Sequence, residues 1–362
     1  MQKKTDDLAI IVMESSDGFG EKVDKQLSKI RNTKENFVIP IKEVHFSSGE
    51  GKVVLDKSVR NKDIYILTDV SNYSVTYKMR NFENHTSPKD HFMDIISLIS
   101  AIRSHAKSVT VIMPLLYSSR QHKRKGRESS DCALALQLLQ HLGVKCIITF
   151  DAHDPSIQNA VPLLPFENFY ATKSIVLKMA EEKLVDFNNL LIISPDTGAM
   201  DRARFYAEIL QTDVGMFYKR RDVSKIVDGR NPIVAHEYLG ENVEGKDIII
   251  VDDMISSGDS MIEVAYLLKE MKAKNIYLSA TFSLFDHGLD RFNEAYEKGI
   301  FKKLYTSNLI YLPEETNKLK WITKADCSEY LAAIIDTLNK GDSISPLIYD
   351  KKEVFDVLEN IK

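Results

Sequence analysis

Long apolar segments are missing from this sequence. No run approaches the roughly 20 apolar residues that a membrane-spanning helix requires, so we expect no membrane partner. Cysteine is also scarce: Cys132, Cys146 and Cys327 lie far apart without metal-ligand spacing, which predicts reduced thiols. The first residues, MQKKTDDLAIIVM, predict a first strand rather than a cleavable signal. We therefore expect a cytoplasmic protein.

An excess of positive charge and two common phosphate-binding motifs are missing as well. The formal net charge is −4, which does not favour a nucleic-acid partner. Neither G-x-x-x-x-G-K-[ST] nor G-x-G-x-x-G occurs, so a nucleotide site must be built in another way. One basic cluster, HKRKGR at 122–127, is either a solvated surface or a region that attracts an anionic ligand.

The order of apolar runs predicts the fold class. Short β-rich runs alternate with helical patterns, which is typical of parallel sheets covered on both faces. At 362 residues the chain is long for one core, and two domains are the default expectation. Two prolines interrupt the pattern within 159–171, so we divide the chain into domains 1–164 and 165–362. The prediction is α/β, with two domains that each contain a mainly parallel sheet flanked by helices.

Individual elements follow from the same patterns. Two segments have helical spacing: leucines recur at every fourth position from Leu134 to Leu142, and an apolar face follows Gly258. That second face is formed by Met261, Val264, Ala265 and Leu268. The predicted strands are 8–13, 63–69, 108–114, 145–151, 190–196, 213–219, 247–253, 275–285 and 302–312.

Polar side chains follow several predicted strands at their carboxyl ends, which is where open α/β sheets bind ligands. Any one acid there could simply cap a helix, because Asp is favoured at N-caps. As a set they predict a site for a Mg²⁺-bound polyphosphate and a phosphorylated polyol, since carboxylates suit Mg²⁺ or hydroxyls and cations suit phosphate. The residues are Arg120, Gln121, Asp151, His153, Asp196, Lys219, Arg220, Arg221, Asp252 and Asp253.

A run of small residues, SSGDS at 256–260, follows the paired acids. Small residues allow backbone N–H groups to converge on a ligand, and the next helix contributes its positive end. The segment therefore predicts an anion site.

Together these motifs resemble a known family. The segment IIIVDDMISSGDSM (248–261) resembles the phosphoribosyl-diphosphate (PRPP) binding motif, and further collinear segments are similar to those of ribose-phosphate diphosphokinases, the PRPP synthetase family. The family patterns are F-S-D-G-E (here 46–50), P-Y-x-x-x-x-R-Q-D-R (here 113–124), V-D-L-H-A-x-Q-I-Q-G-F-F (here 148–161), V-S-P-D-x-G-G-x-x-R-A-R (here 192–204), K-R-R (here 219–221) and S-I-S-x-x-F (here 342–350).

The resemblance implies a role for each matching position. Lys219 and Arg221 would be catalytic and act on the transferring diphosphate, and His153 and Asp196 would serve Mg²⁺. The implied ATP-binding residues are Phe46, Ser48, Glu50, Arg120, Gln121 and His153. The implied ribose 5-phosphate-binding residues are Arg221, Asp252, Asp253, Ser256, Ser257, Gly258, Asp259 and Ser260, with the two acids on the ribose hydroxyls and 256–260 around the phosphate.

The sequence departs from the family pattern at three places. Ser48 and His122 each replace an Asp, and the usual D-T-G-G-T loop reads SSGDS, so that one acid is lost at Ser256 and another gained at Asp259. The Asp259 side chain either points outward and caps the following helix, which we favour, or points inward and repels the phosphate. The segment from Lys219 to Gly245 is longer than the family's catalytic loop, and we expect 220–244 to close over ATP.

The implied activity is transfer of the β,γ-diphosphate of ATP to ribose 5-phosphate, giving PRPP and AMP, with Mg²⁺ as cofactor. The resemblance also implies a homo-oligomer, a hexamer in the family, in which Phe46 and Glu50 contact the nucleotide of a neighbouring subunit. Two alternatives stay open. One is a catalytically weak regulatory protein that binds nucleotides, and the other is a phosphoribosyltransferase, which needs one domain and no ATP segment.

Overall fold

The computed structural model describes residues 7–102, 105–124, 126–221, 233–349 and 352–359. It confirms the predicted α/β class with a five-stranded and a seven-stranded sheet, accompanied by two two-stranded sheets. Within the described ranges, no helix combines the length and the apolar composition needed to cross a membrane.

Among the described residues, the strands confirm the nine predicted runs and add seven others. Their bounds are β1 Leu8–Val12, β2 Ile41–His45, β3 Gly51–Leu55, β4 Asp63–Leu67, β5 Thr76–Met79, β6 Phe82–His85, β7 Ser108–Ile112, β8 Cys146–Phe150, β9 Phe166–Phe169, β10 Leu190–Ser194, β11 Asp213–Arg221, β12 Ile233–Leu239, β13 Asp247–Ile255, β14 Asn275–Ser283, β15 Lys303–Ser307 and β16 Ile322–Ala325.

The helices mostly lie between these strands, as the alternating pattern predicts, while the last three follow the last strand. Their bounds are α1 Asp17–Ile30, α2 Pro88–Ile102, α3 Asp131–His141, α4 Thr172–Glu182, α5 Met200–Leu210, α6 Asp259–Glu270, α7 Asp290–Glu297, α8 Ser328–Lys340, α9 Ser345–Tyr349 and α10 Lys352–Glu359.

The first sheet has the order β1-β4-β7-β8-β9 with every pairing parallel. Its central strands are buried on both faces: Ile66 and Val111 on one face, and Leu67 and Ile112 on the other, have no exposed surface. Continuous apolar strands of this kind are expected where helices cover both faces of a sheet. The parallel order brings the carboxyl ends of β7 and β8 to the same edge.

The second sheet has the order β12-β11-β10-β13-β14-β15-β16. Its pairings are parallel except that of β12, which lies antiparallel to β11 at the edge. Neighbouring β10 and β13 end at the same edge, and both have fully buried cores. The acids Asp252 and Asp253, near the end of β13, and Asp196, which follows β10, therefore lie at the same edge of the sheet.

Two compact units contain these sheets, and neither is continuous in sequence. The first contains residues up to Ala171 together with 308–311 and 326–350, and the second contains the remainder. Helix α8 packs on α1, where the Arg31 Nε atom lies 2.7 Å from Asp336 Oδ1. The division into domains 1–164 and 165–362 stays a prediction. It did not include α8 in the unit that contains the first sheet.

One predicted helix face is confirmed and the other is wrong. On α6, Met261, Val264, Ala265 and Leu268 are buried. On α3 the leucines spaced by four residues lie outward, with Leu134 65% exposed. The buried face of α3 is instead formed by Cys132, Ala135, Leu136 and Leu139, because this helix has apolar residues on two sides and only packing decides which side is covered.

Candidate active site

The paired acids lie within the last part of β13 in the second unit. The sequence predicted that the strand ends at these acids, but it continues to Ile255. The reason is that β14 is equally long and pairs Asp252 with Ala280 and Met254 with Phe282. Asp252 Oδ1 accepts the Asp253 N–H at 2.8 Å, and Asp253 Oδ1 accepts the Met254 N–H at 2.8 Å. These bonds hold both carboxylates close to the backbone.

The surroundings of Asp252 disfavour its charged form. Desolvation by burial, followed by repulsion from Asp253, raises the pKa of the Asp252 carboxyl well above its usual range, and Asp196 raises it further. The guanidinium of Arg202 on α5 opposes this rise. When ionised together, the three carboxylates repel one another, and a divalent cation or sugar hydroxyl donors would reduce this repulsion.

Asp196 lies in the turn between β10 and α5. Its Oδ1 atom accepts the Gly198 N–H at 2.8 Å and the Ala199 N–H at 3.3 Å. The side chain therefore both orders the start of α5 and faces the same edge as Asp252, so the capping and functional interpretations of this acid are compatible.

The loop at 256–260 turns sharply into α6. Gly258 occupies the N-cap position with φ 78°, and a Cβ there would meet Phe292 Cζ at 2.3 Å. Only glycine fits this close approach in the left-handed region. Phe292 is fully buried and stacked on Trp321, with ring centroids 5.7 Å apart. The loop thus rests on a rigid aromatic layer with the first N–H groups of α6 at its end.

Two aspartates hold the serines of this loop. Ser256 Oγ donates a hydrogen bond to Asp286 Oδ2, and the Asp286 N–H donates to the Ser256 carbonyl at 3.1 Å. Ser257 Oγ donates to Asp259 Oδ2 at 2.8 Å. Asp259 also forms an ion pair with Arg291 on α7. Gly258, and not Asp259, is the N-cap of α6, so the capping part of the favoured interpretation is wrong. The half-exposed Asp259 side chain points outward to Arg291, as that interpretation expects.

The implied catalytic residues Lys219 and Arg221 lie in β11, opposite His236 and Ile233 of β12, with a register shift between Arg220 and Arg221. Their side chains, and residues 222–232, lie outside the described residues. Part of the segment 220–244, which was expected to close over ATP, is a strand, because residues 233–239 form β12 and pair with β11.

In the first unit, the implied ATP segment is the turn between β2 and β3. The Phe46 N–H donates to the Glu50 carbonyl at 2.7 Å, and Ser48 Oγ donates to Glu50 Oε2 at 2.9 Å. Phe46 is 45% exposed, with Lys52 Nζ 5.5 Å from its ring centroid. The turn presents an aromatic face and a cation, a combination that suits a nucleotide base.

Arg120, Gln121 and His153 follow the adjacent strands β7 and β8. Arg120 and Gln121 lie in a 3₁₀ turn over 119–121, and both are exposed. The next residue, His122, brings this turn to the His153 loop: the two imidazole centroids are 5.4 Å apart. The structure therefore brings together these three implied ATP-binding residues at one edge of the first sheet.

Comparison with known proteins places the chain in a family. A model of the N-terminal domain of ribose phosphate pyrophosphokinase matches residues 8–143, and a phosphoribosyl transferase domain model matches 167–308. The ribose-phosphate pyrophosphokinase of Mycoplasma genitalium is 31% identical over 269 residues, 74% of this chain and 74% of the relative. The chain belongs to the ribose-phosphate pyrophosphokinase family.

Further comparisons agree with this family assignment. Ribose-phosphate pyrophosphokinase 1 of Streptococcus pneumoniae is 29% identical over 312 residues, 85% of this chain and 89% of the relative. The crystal structure of phosphoribosylpyrophosphate synthetase from Mycobacterium smegmatis shares the fold, with a TM-score of 0.75 and 22% identity over 92% of this chain and 99% of that one. The predicted family, fold and enzyme class are confirmed, and the alternatives of a regulatory protein or a phosphoribosyltransferase are not favoured.

Mg²⁺ is generally needed in this family. Among the described residues, no group of three or more His, Cys, Asp or Glu side chains could hold a metal by itself. In enzymes, Mg²⁺ is commonly bound by one or two carboxylates together with substrate phosphates and water. The carboxyl groups of Asp196, Asp252 and Asp253 have the donor chemistry for such a role.

Three side chains near the implied site were not foreseen from the sequence: Asp154, Asp286 and Arg291. Asp154 contacts His122, while Asp286 and Arg291 contact the loop at 256–260. One signal was available. The family pattern V-D-L-H-A has Ala where Asp154 stands, so a new acid accompanied the loss of the acid at position 122. No spacing rule connects Arg291 to Asp259.

Proposed function

We propose that the chain is a ribose-phosphate diphosphokinase that uses ATP and ribose 5-phosphate as substrates. The 1-hydroxyl oxygen of the sugar attacks the β-phosphorus of ATP and releases its proton. The bond from that phosphorus to the α,β-bridging oxygen breaks, and AMP departs with the bridging oxygen and the electron pair. The products are PRPP and AMP.

One observation carries this proposal. Asp252 and Asp253 lie near the end of β13, which leads into a glycine-dependent turn that ends in the N–H groups of α6. Paired acceptors for vicinal hydroxyls and a positive helix end for a phosphate therefore stand side by side, as a sugar phosphate requires. The acids would orient the ribose and the turn would hold its phosphate, so that the 1-hydroxyl is fixed for attack.

The remaining residues would act on the nucleotide. Arg120, Gln121 and His153 would hold ATP, with Phe46 and Glu50 from a neighbouring subunit, and Lys219 and Arg221 would stabilise the transferring diphosphate. His153 and Asp196 would each serve a Mg²⁺ site together with substrate oxygens, and the bound Mg²⁺ would neutralise phosphate charge. Removing one cation at such a site typically costs about 3 kcal/mol of transition-state stabilisation.

Incubation with ATP, ribose 5-phosphate and Mg²⁺, followed by separation of the nucleotides, tests the activity. We expect AMP and PRPP in equal amounts. Formation of ADP would indicate transfer of a single phosphoryl group, and absence of AMP with Mg²⁺, Mn²⁺ and Co²⁺ would refute the proposal. A phosphoribosyltransferase would instead consume PRPP when a nucleobase is added.

We also propose a homo-oligomer. The exposed ring of Phe46 supports this assembly, because it would be covered by the nucleotide of the next subunit. Light scattering over a dilution series measures the mass, and an active monomer would contradict the proposal.

A further inference from the structure

The loop proposed to hold the 5-phosphate carries a carboxylate of its own, Asp259. This residue is the first of α6. A phosphate dianion bound at the N–H groups of that helix would therefore meet a like charge within the same turn. Either the loop binds phosphate poorly, or another residue compensates the charge of Asp259.

Arg291 provides the compensating charge. Its guanidinium pairs with Asp259, and its Nη2 atom lies 3.8 Å from Glu263 Oε1 one turn further along α6. A guanidinium stays charged at every relevant pH and binds carboxylates with directional hydrogen bonds. The pair thus gives the first turn of α6 a fixed cation next to its extra acid.

The position of Arg291 is fixed by the packing beneath the loop. The next residue, Phe292, is fully buried and touches the position where Gly258 would carry a Cβ. The same aromatic ring that requires glycine in the loop therefore anchors the helix that presents Arg291. By contrast, the side chains of Arg291 and Asp259 are 45% and 49% exposed, and half-exposed ion pairs contribute little to folding stability.

We propose that Arg291 is a positioning residue of the sugar-phosphate loop, which holds and neutralises the Asp259 carboxylate so that the loop accepts the 5-phosphate of ribose 5-phosphate. This inference rests on the proposed function for its ligand. It assigns to α7 a part in substrate affinity. The arginine acts through Asp259, and its removal matters only while that acid is charged.

Calorimetric binding of ribose 5-phosphate to the full chain measures this role without turnover. We expect Arg291→Gln to weaken binding about tenfold, Arg291→Lys to recover part of the loss, and ATP binding to change by less than about twofold. Asp259→Asn keeps the shape and a bond to Ser257 but lacks the charge. In that background, Arg291→Gln should change the affinity by less than about twofold.

Lys298→Gln is the matched control, because it removes one cation at the end of the same helix, where Lys298 pairs with Glu294; it should bind like the wild type. The proposal would be overturned if Arg291→Gln weakened ribose 5-phosphate binding equally in the wild type and in the Asp259→Asn background. It would also be overturned if Arg291→Gln lowered the Tm and weakened the binding of both substrates. A wild type that binds no ribose 5-phosphate would overturn it as well. Binding that follows the expected pattern without AMP formation would refute only the proposed catalysis.

Discussion

The Nε2 atom of His122 lies 3.1 Å from Oδ2 of Asp154, and this contact joins the loops that follow β7 and β8. Lys123 Nζ lies 3.7 Å from the same oxygen. The family patterns have Asp where this chain has His122 and Ala where it has Asp154. The carboxylate has therefore changed loops, and His122 occupies the place that it left.

A charge exchange of this kind predicts strong coupling between the two positions. His122→Asp would place two carboxylates within about 3–4 Å, where like charges near a protein surface repel by about 1–4 kcal/mol. We expect a lower Tm and a several-fold higher KM for ATP. Adding Asp154→Ala should recover the KM, while about 1 kcal/mol of stability stays lost because Asp154 also accepts the Ser156 N–H. Additive effects of the two substitutions on KM would contradict the exchange.

Asp252→Asn separates function from stability. The pKa of Asp252 is raised in the folded protein, so folding retains a proton that the unfolded chain has released above about pH 4. The ionised form therefore costs stability at neutral pH, and the amide should raise the Tm at pH 7 but hardly change it below pH 4. The value of kcat/KM for ribose 5-phosphate should fall roughly 5–150-fold, which corresponds to a loss of about 1–3 kcal/mol of binding free energy.

Comparison of Asp252→Asn with Glu270→Gln, an exposed acid at the end of α6, controls for the general loss of one acid. A variant with unchanged kinetics and a lower Tm would show that Asp252 serves only the fold.

Much of this fold can be predicted from local patterns of apolar and polar residues in the sequence. Buried strands such as β10 and β13 are continuous apolar runs, and polar residues directly after such runs must gather at one edge of a parallel sheet. The acids, the small-residue turn and the buried face of α6 were therefore predictable. The family motifs added roles but no geometry.

The remainder depends on contacts between distant segments. The hairpin of β5 and β6 has no fully buried residue in either strand and was missed, since short exposed strands lack a clear apolar alternation. Its turn is held by a bond from the Arg80 N–H to the Ser47 carbonyl at 3.1 Å, far away in sequence. The pairs His122–Asp154 and Ser256–Asp286 likewise join positions about 30 residues apart. Their partners emerge only when neighbouring loops are seen together.

Asp286 is expected to set the orientation of Ser256. Asp286→Ala removes the acceptor of the Ser256 hydroxyl, a charged hydrogen bond of about 1.5–3 kcal/mol, and should raise the KM for ribose 5-phosphate up to about tenfold while the KM for ATP is unchanged. Asp286→Asn keeps an acceptor and should lie close to the wild type. Asp290→Ala, an exposed acid at the start of α7, is the control. Equal effects of Asp286→Ala on both substrates would point to a general loss of structure.

Glu43 on β2 predicts a pH-dependent stability. Its Oε1 atom accepts the Glu14 N–H at 2.7 Å, and Asp94, Glu14 and Asp17 lie near enough to repel it. Asp94 itself pairs with His45, whose Nε2 atom lies 3.2 Å from Asp94 Oδ2. Desolvation by burial, more than these charges, raises the pKa of Glu43 to about 7.

The sign of the effect follows from this raised pKa. Between about pH 4.5 and pH 7 the unfolded chain has lost the Glu43 proton while the folded protein retains it, so the contribution of Glu43 to stability falls as pH rises and levels off above pH 7. Glu43→Gln keeps the acceptor for the Glu14 N–H and cannot ionise. Its advantage over the wild type should grow through this window to about 1–3 kcal/mol, at about 1.4 kcal/mol for each unit of pKa shift.

Thermal unfolding at pH 5, 6, 7 and 8 measures this difference, with Glu35→Gln at an exposed position as the control for loss of one surface acid. The Tm of Glu43→Gln should exceed that of the wild type clearly at pH 8 and only slightly at pH 5. A constant difference between the two proteins across this range would show that Glu43 is ionised throughout. The strand that leads into the exposed Phe46 turn would then tolerate its charge through solvation, and burial would not determine the behaviour of this carboxyl.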